Sequence, residues 1–478
     1  MKKIRAITNH RVKTPGGRML VLFFALIFAA AAGGIGAAQE DEIPNTFDIS
    51  TIDSIAKWIA GQGYPLKSVN AGSGFDDLQP LKKILRGVRI VGLGEATHGT
   101  REFFQCKHRL LEFLVKEMDF QVFAIEASYP ACLKINDYVL HGKGNRDEVL
   151  AGQGFWTWNT EEVAAMIDWM KDYNSSLPDE NKIKFLGYDI QNIGLAIELI
   201  TSFIEKADPD YLPAAEKAFE IFKDGRERMR WPEKPEEEKE ANKSKLRDLI
   251  GFLSFNHIRF QRTNTEKEIE LALQHARVLL QLYNAYSLER TPEAREKGRF
   301  LNRDYYMAEN IQHLISREKP GTKVVVWAHN GHIFKGDEFA TGSYLNEIYG
   351  DQYYALGFVF NQGSFQAING NRESERRGLV DFTFGPSPEG YLGWIFKKAG
   401  IGDLYIDFRT ADKSHEAVSA FLNATIPMRS LGSMYSEKWP AKYYSRPTVL
   451  GTYYDGMIFI DSTTRARPQP IGPGSSKK

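Results

Sequence analysis

Cysteine is nearly absent: 478 residues carry two, Cys106 and Cys132. Two cysteines cannot build a disulfide framework or a cysteine-based zinc site. They could pair with each other at most, and they read best as small buried apolar side chains. Net charge is absent too, with 61 basic against 61 acidic side chains. That balance leaves no strong electrostatic footprint for nucleic acid or an anionic membrane surface. Two catalytic signatures are missing as well. No G-x-S-x-G elbow follows any strand candidate, and there is no H-E-x-x-H zinc motif.

Long apolar runs are missing after residue 38, but one lies before it. Lys2, Lys3, Arg5, Arg11, Lys13 and Arg18 precede "MLVLFFALIFAAAAGGIGAA", residues 19–38. A basic stretch, an apolar stretch and small residues at the end predict a secretory signal cleaved near Ala38. An uncleaved membrane anchor is the alternative reading. Either way the remainder is expected to work outside the cytoplasm, as a periplasmic or secreted protein.

Beyond a polar, flexible linker at 39–50, β-like runs alternate with amphipathic stretches. The runs are "VRIVGLGE" (88–95), "QVFAIEA" (121–127), "IKFLGYDI" (183–190), "KVVVWAHN" (323–330), "YYALGFVF" (353–360), "DLYIDFR" (403–409) and "GMIFID" (456–461). Most are continuously apolar, as strands buried on both faces require. Between the first two, "REFFQCKHRLLEFLVKEM" (101–118) has helical spacing. The alternation predicts an α/β fold with a mainly parallel sheet flanked by helices. Residues 191–320 break it and read as a large helical insertion or cap, with the charged segment 232–245 as a solvated linker. The core thus divides into 51–190 and 321–465, followed by a Pro/Gly-rich, disordered tail at 466–478.

Ligands of parallel sheets bind at the carboxyl ends of the strands. Here the first strand candidate delivers Glu95 and then His98, the second Glu126, and the third Asp189. The fourth delivers His329, Asn330 and His332. One such group is often only a helix cap; four strands ending alike predict a catalytic cleft. Three chemistries compete for it. A Ser or Cys nucleophile lacks its elbow, and Cys106 falls inside a helix. A divalent metal such as zinc could use His98, His329, His332 and Glu95 or Glu126, but the spacing is irregular. Water attack needs only a His base oriented by a carboxylate and a second cationic group. The expectation is therefore no cofactor, with a divalent metal as the alternative.

The chain resembles the erythromycin esterase family. The resemblance rests on Glu95-Ala-Thr-His98, Glu102-Phe103-Phe104, Lys107-His108, "FAIEAS" with Glu126, "FLGYDIQN" with Asp189, "RDYYMAEN" (303–310) and "VVVWAHNGHI" (324–333). It implies an α/β core with a helical insertion and a deep cleft. It further implies hydrolysis of a small-molecule ester, a macrolide lactone among the candidates, without metal or covalent intermediate. On that resemblance His98 is the general base, Glu95 and Glu126 the carboxylates around it, and His329 and His332 the facing pair. Lys107 stands where resistance esterases can carry an arginine, keeping the charge but losing the bidentate fork.

The remaining polar and aromatic candidates have two readings each. Lys107, Arg303 and Asp189 are assigned to substrate. For Arg303 with Asp304 the alternative is a surface ion pair at a helix end, and for Asp189 a helix cap. Trp156 and Trp158 in "GFWTWN" are assigned to a cleft wall, with core packing as the alternative. Thr160, Glu161 and Glu162 read as an ordinary helix start, and His108 and His275 as packed helix histidines. Besides the hydrolase, a metal-dependent hydrolase of a carbohydrate or phosphoester and a non-catalytic binding protein of the same fold stay open.

Overall fold

The seven apolar runs all become strands, and six of them lie parallel. A computed structural model describes residues 47–288, 302–336 and 339–469. The segment expected to be a signal, the expected linker up to residue 46, and residues 470–478 lie outside the described residues. The strands are β1 (Tyr64–Pro65), β2 (Ile90–Leu93), β3 (Phe120–Ser128), β4 (Lys184–Asp189), β5 (Lys323–Trp327), β6 (Tyr353–Asn369), β7 (Leu379–Phe384), β8 (Leu404–Asp407), β9 (Thr425–Arg429), β10 (Met434–Tyr435), β11 (Ser445–Val449) and β12 (Gly456–Thr463). The main sheet runs β1-β8-β12-β6-β2-β5-β3-β4. From β12 to β4 every pairing is parallel, and β1 and β8 add an antiparallel edge. Central β2 pairs Gly92 with Val326 on one side and with Ala355 on the other. Its four residues are all buried, which is why no polar alternation marked it.

Apolar clusters cover both faces of the sheet. The helix Arg101–Met118 supplies Phe103, Phe104, Leu111 and Leu114 to one of them. The other face joins Tyr188 and Ile190 to Leu246, Leu249, Leu279 and Leu282 from the segment between β4 and β5. That segment contains the helices Gly194–Ala207, Leu212–Phe219, Glu236–Phe255, Glu266–Ser287 and Arg303–Ser316. The charged stretch 232–245 is not a linker: most of it is the first half of Glu236–Phe255, with Lys239 and Asn242 buried. Acidic Glu236, Glu237 and Glu238 occupy its first turn, where they favour a helix N-terminus. No helix among the described residues is long and apolar enough to cross a membrane.

Three boundaries differ from the expectation. The strand read as 353–360 continues to Asn369, because its polar second half pairs with β7 and β10. The linker ends earlier, since Asp48 caps a helix starting at Ile49. The composition-based tail begins too early. Ala466 is fully buried and its N–H donates to Gly99 O, while Gln469 N–H donates to Asn159 O. Prolines and glycines excluded regular structure there but not packing.

Candidate active site

The site starts where β2 ends. Gly94 lets the chain pass Asn330, whose amide bridges to both backbone groups of Phe358. A Cβ at Gly94 would stand 2.1 Å from the Asn330 side-chain oxygen. The next residues turn Glu95 inward, fully buried. Its Oε1 meets His98 Nδ1 at 2.7 Å. Its Oε2 accepts from Lys107 Nζ at 2.7 Å and from the Trp327 indole at 2.9 Å. Glu95 is thus held by three donors, and the His98 ring is fixed by it. With Nδ1 committed to Glu95, Nε2 is the nitrogen left for the cavity.

A second ionic cluster stands opposite. Arg303 grips Asp189 with two bonds, Nε to Oδ1 at 3.0 Å and Nη2 to Oδ2 at 2.6 Å. The same Nη2 donates to Glu126 Oε1 at 2.7 Å. The other Glu126 oxygen accepts the His329 backbone N–H at 3.0 Å. Glu126 reaches this position because the β3–β4 register shifts between Ile125 and Ser128, and such a bulge re-aims side chains. Glu126 thus lies within β3, as the run 121–127 implies. His332 Nδ1 bonds Asp304 Oδ1 at 2.7 Å, and its Nε2 lies 3.3 Å from Glu126 Oε1 and 3.2 Å from Arg303 Nη1.

Electrostatics divides the two facing histidines. Burial would discharge His332, but Asp304 and Glu126 outweigh it and push the imidazole up to about 10. Ionised, it offsets one charge of a cluster that otherwise sets three carboxylates against one guanidinium. For His329, burial foremost and the nearby His332 charge hold the ring well below its ordinary value, hence neutral. Burial opposes ionisation of Glu126 too, yet His332 and Arg303 keep it well below the carboxylate range. The His98 and His329 rings are 5.0 Å apart between centroids.

The cavity between these groups has a volume of about 450 Å³. His98, Glu126, Asp189, Arg303, His332 and Trp156 line it. Trp158 also touches it but is mainly packed, 2% exposed, with its ring edge-on to His98 and its indole bonded to Glu126 O. The two readings of "GFWTWN" thus divide between its two tryptophans. Lys107 does not reach the cavity: it is fully buried behind Glu95, with its ammonium 4.3 Å from the Trp327 ring centroid. Arg303 and Asp304 are no surface pair, since Arg303 is only 13% exposed and Asp304 supports His332. His108 is a packed helix histidine beside Glu112 and Trp169. Cys106 and Cys132 are both free and buried. Among the described residues no three His, Cys, Asp or Glu side chains are arranged to hold a metal ion.

One wall was missed in the sequence. Ser430, Gly432, Ser433, Met434, Trp439 and Tyr443 close the cavity from the segment between β9 and β11. None of them is a His, Asp, Glu, Lys, Arg or Cys. The available signal was a set of aromatics among turn residues, with Trp439 37% and Tyr443 47% exposed.

The pattern of the family described as erythromycin esterase matches residues 115–463. The chain belongs to the erythromycin esterase family. Erythromycin esterase type II of Escherichia coli is 27% identical over 384 residues, 76% of this chain and 90% of that protein. The putative hydrolase YbfO of Bacillus subtilis (strain 168) is 25% identical over 93% of this chain and 96% of its own length. A solved structure titled as a succinoglycan biosynthesis protein superposes with a TM-score of 0.73 at 26% identity, covering 88% of this chain and all of that one. Family membership supports a hydrolase acting on a small molecule, and the α/β fold agrees with it.

Proposed function

We propose that this family member hydrolyses a carboxylic ester by direct water attack, with His98 as the general base. The observation that carries this reading is the fixed Glu95–His98 pair, 2.7 Å apart, at the wall of a cavity lined by ionised groups. His98 Nε2 takes a proton from water as the water oxygen bonds to the ester carbon. The carbonyl oxygen becomes an oxyanion, stabilised by the His332 imidazolium. Collapse breaks the bond to the alkoxy oxygen, which takes the proton back from His98. Atoms balance as ester plus water giving acid plus alcohol, with no bond to the protein. Glu126, Asp189 and Arg303 keep His332 in place and contribute the polar end of the cavity, and Trp156 offers an apolar surface to the rest of the substrate.

A macrolide lactone is the substrate suggested by the likeness to the E. coli esterase, and resistance to such antibiotics would follow if it were turned over. The N-terminal basic-then-apolar pattern supports an extracytoplasmic enzyme, which would meet such a substrate outside the cytoplasm. The test is a turnover screen of macrolides and simple esters with metal analysis of the purified protein. Hydrolysis that survives chelation and drops about 10²–10⁴-fold in His98→Ala is expected. A stoichiometric metal whose removal abolishes turnover, or unchanged rates in His98→Ala, would overturn it.

A further inference from the structure

A second cavity, about 780 Å³ in volume, lies beside β4, the last strand of the sheet. Its walls come from the helix Cys132–His141, from β4, and from Gly194–Ala207, Glu266–Ser287 and Arg303–Ser316 of the insertion. It shares no lining residue with the cavity around His98. It nevertheless uses the same strand and helix that carry Asp189 and Arg303 to the other cavity.

Most of the inner surface is apolar, with Leu133, Leu186, Leu199, Phe203, Leu271 and Leu314 among its residues. Three buried polar side chains interrupt it: Asn264 and Gln274 donate their amides to protein groups, whereas His275 does not. His275 lines the cavity at 1% exposure, and neither Nδ1 nor Nε2 has a hydrogen-bond partner. Buried polar groups are almost always paired, and a lone one costs the fold its desolvation without return. Burial pushes the ring down to about 4. Near neutral pH it therefore offers one N–H donor and one lone pair, both unused by the protein.

The rim is charged, and most of its charges are paired. Lys184 pairs with Glu318 at 2.6 Å, Lys206 with Glu268 at 3.2 Å, and Arg317 with Glu270. Lys134, Lys267 and Asp137 also line the rim and leave it one positive charge in excess, but the apolar interior opposes an ionic ligand. The volume falls within the range of small-molecule sites.

We propose that this cavity is a second binding site, for an uncharged and mainly apolar small molecule whose hydroxyl or carbonyl oxygen pairs with His275. The oxygen supplies the missing partner and the hydrocarbon part covers the leucines. The proposal does not depend on the ester-hydrolase reading, because its test involves no turnover.

The full chain is titrated with n-octanol, n-octane and octanoate, followed by calorimetry and by the imidazole 15N resonances of His275. Saturable 1:1 binding of n-octanol is expected, about tenfold tighter than n-octane or octanoate, with the His275 resonances shifting. His275→Leu should keep octane binding and lose the preference for octanol. Leu271→Trp, which fills the cavity, should block all three; it decides the matter if His275→Leu fails to fold. Octanol binding no tighter than octane, a preference that survives His275→Leu, or His275 resonances indifferent to octanol would each overturn the proposal. So would a His275 ring that exchanges protons with a bound water and takes none of the three probes.

Discussion

Lys107 and Glu95 form a fully buried ion pair, Nζ to Oε2 at 2.7 Å, with both side chains shut off from solvent. Taking two charges out of water is costly, and the cost is offset only while both partners remain. Burial pulls the Lys107 ammonium down to about 8, against the attraction of Glu95. Lys107→Met leaves a buried carboxylate held only by the Trp327 indole and His98. It should destabilise the fold by about 3–5 kcal/mol, measured by urea unfolding. Wild-type stability in this variant would show that the pair carries no strain of desolvation. Lys107→Arg keeps the charge and should cost less, limited by fitting a planar fork beside Trp327.

Glu95 also decides which nitrogen of His98 bears the proton. A carboxylate can only accept, so Nδ1 carries the hydrogen and Nε2 keeps its lone pair. Glu95→Gln conserves shape but can donate its amide to Nδ1, which favours the wrong tautomer. The proposed hydrolysis should then fall by about 10²-fold or more, in kcat rather than KM. A Gln variant that matches wild-type kcat would remove Glu95 from the mechanism.

Much of this geometry was legible because continuous apolar runs end in single polar residues. Asp189 closes β4 as its spacing suggested, and His98, His329 and His332 follow their strands closely. Glu126 falls inside β3 as the run 121–127 implies, but the register shift beside it, which re-aims its side chain, has no residue pattern to mark it. The Asp304–His332 bond joins positions 28 apart, from the start of the helix Arg303–Ser316 to the short turn after β5, a pairing set by packing alone. Lys107 illustrates the opposite error. The resemblance, with an arginine at this position in resistance esterases, suggests contact with substrate, yet the ammonium is buried because Glu95 lies beneath the helix. The wall at Trp439 and Tyr443 stayed hidden because aromatics in an irregular segment have no period to detect.

The His332 pair gives stability a definite pH dependence. Its folded value, about 10, stands above the ordinary 6.5. The native state therefore binds the proton more tightly than the unfolded chain. This contribution is complete below pH 6.5, and it declines as pH rises, vanishing through about 10. Asp304→Asn removes the carboxylate bonded to Nδ1, so the alkaline decline should still begin near 6.5 but end at lower pH, and the gain should shrink. Urea midpoints collected from pH 6 upward check both statements. A flat profile shared by wild type and variant would contradict the assignment of His332 as an imidazolium.

Residues 464–469 hold the site together from outside. Arg101 N–H donates to Thr464 O, Ala466 N–H to Gly99 O, Glu161 N–H to Arg467 O and Gln469 N–H to Asn159 O. Glu102 also accepts from the Thr464 backbone and hydroxyl. The segment therefore ties the loop bearing His98 to the loop bearing Trp156 and Trp158. Truncation after Thr463 removes these bonds while leaving β12 and its ladder to β6 intact. The fold should persist, because the sheet and both apolar clusters keep their main contributors. Turnover should fall by about tenfold or more, since small displacements of a catalytic base are costly. Circular dichroism and kinetics on the truncated chain separate the two effects. If activity and unfolding midpoint both stay at wild-type values, the segment is passive. If both collapse together, it supports the fold rather than the alignment of His98 with its cavity.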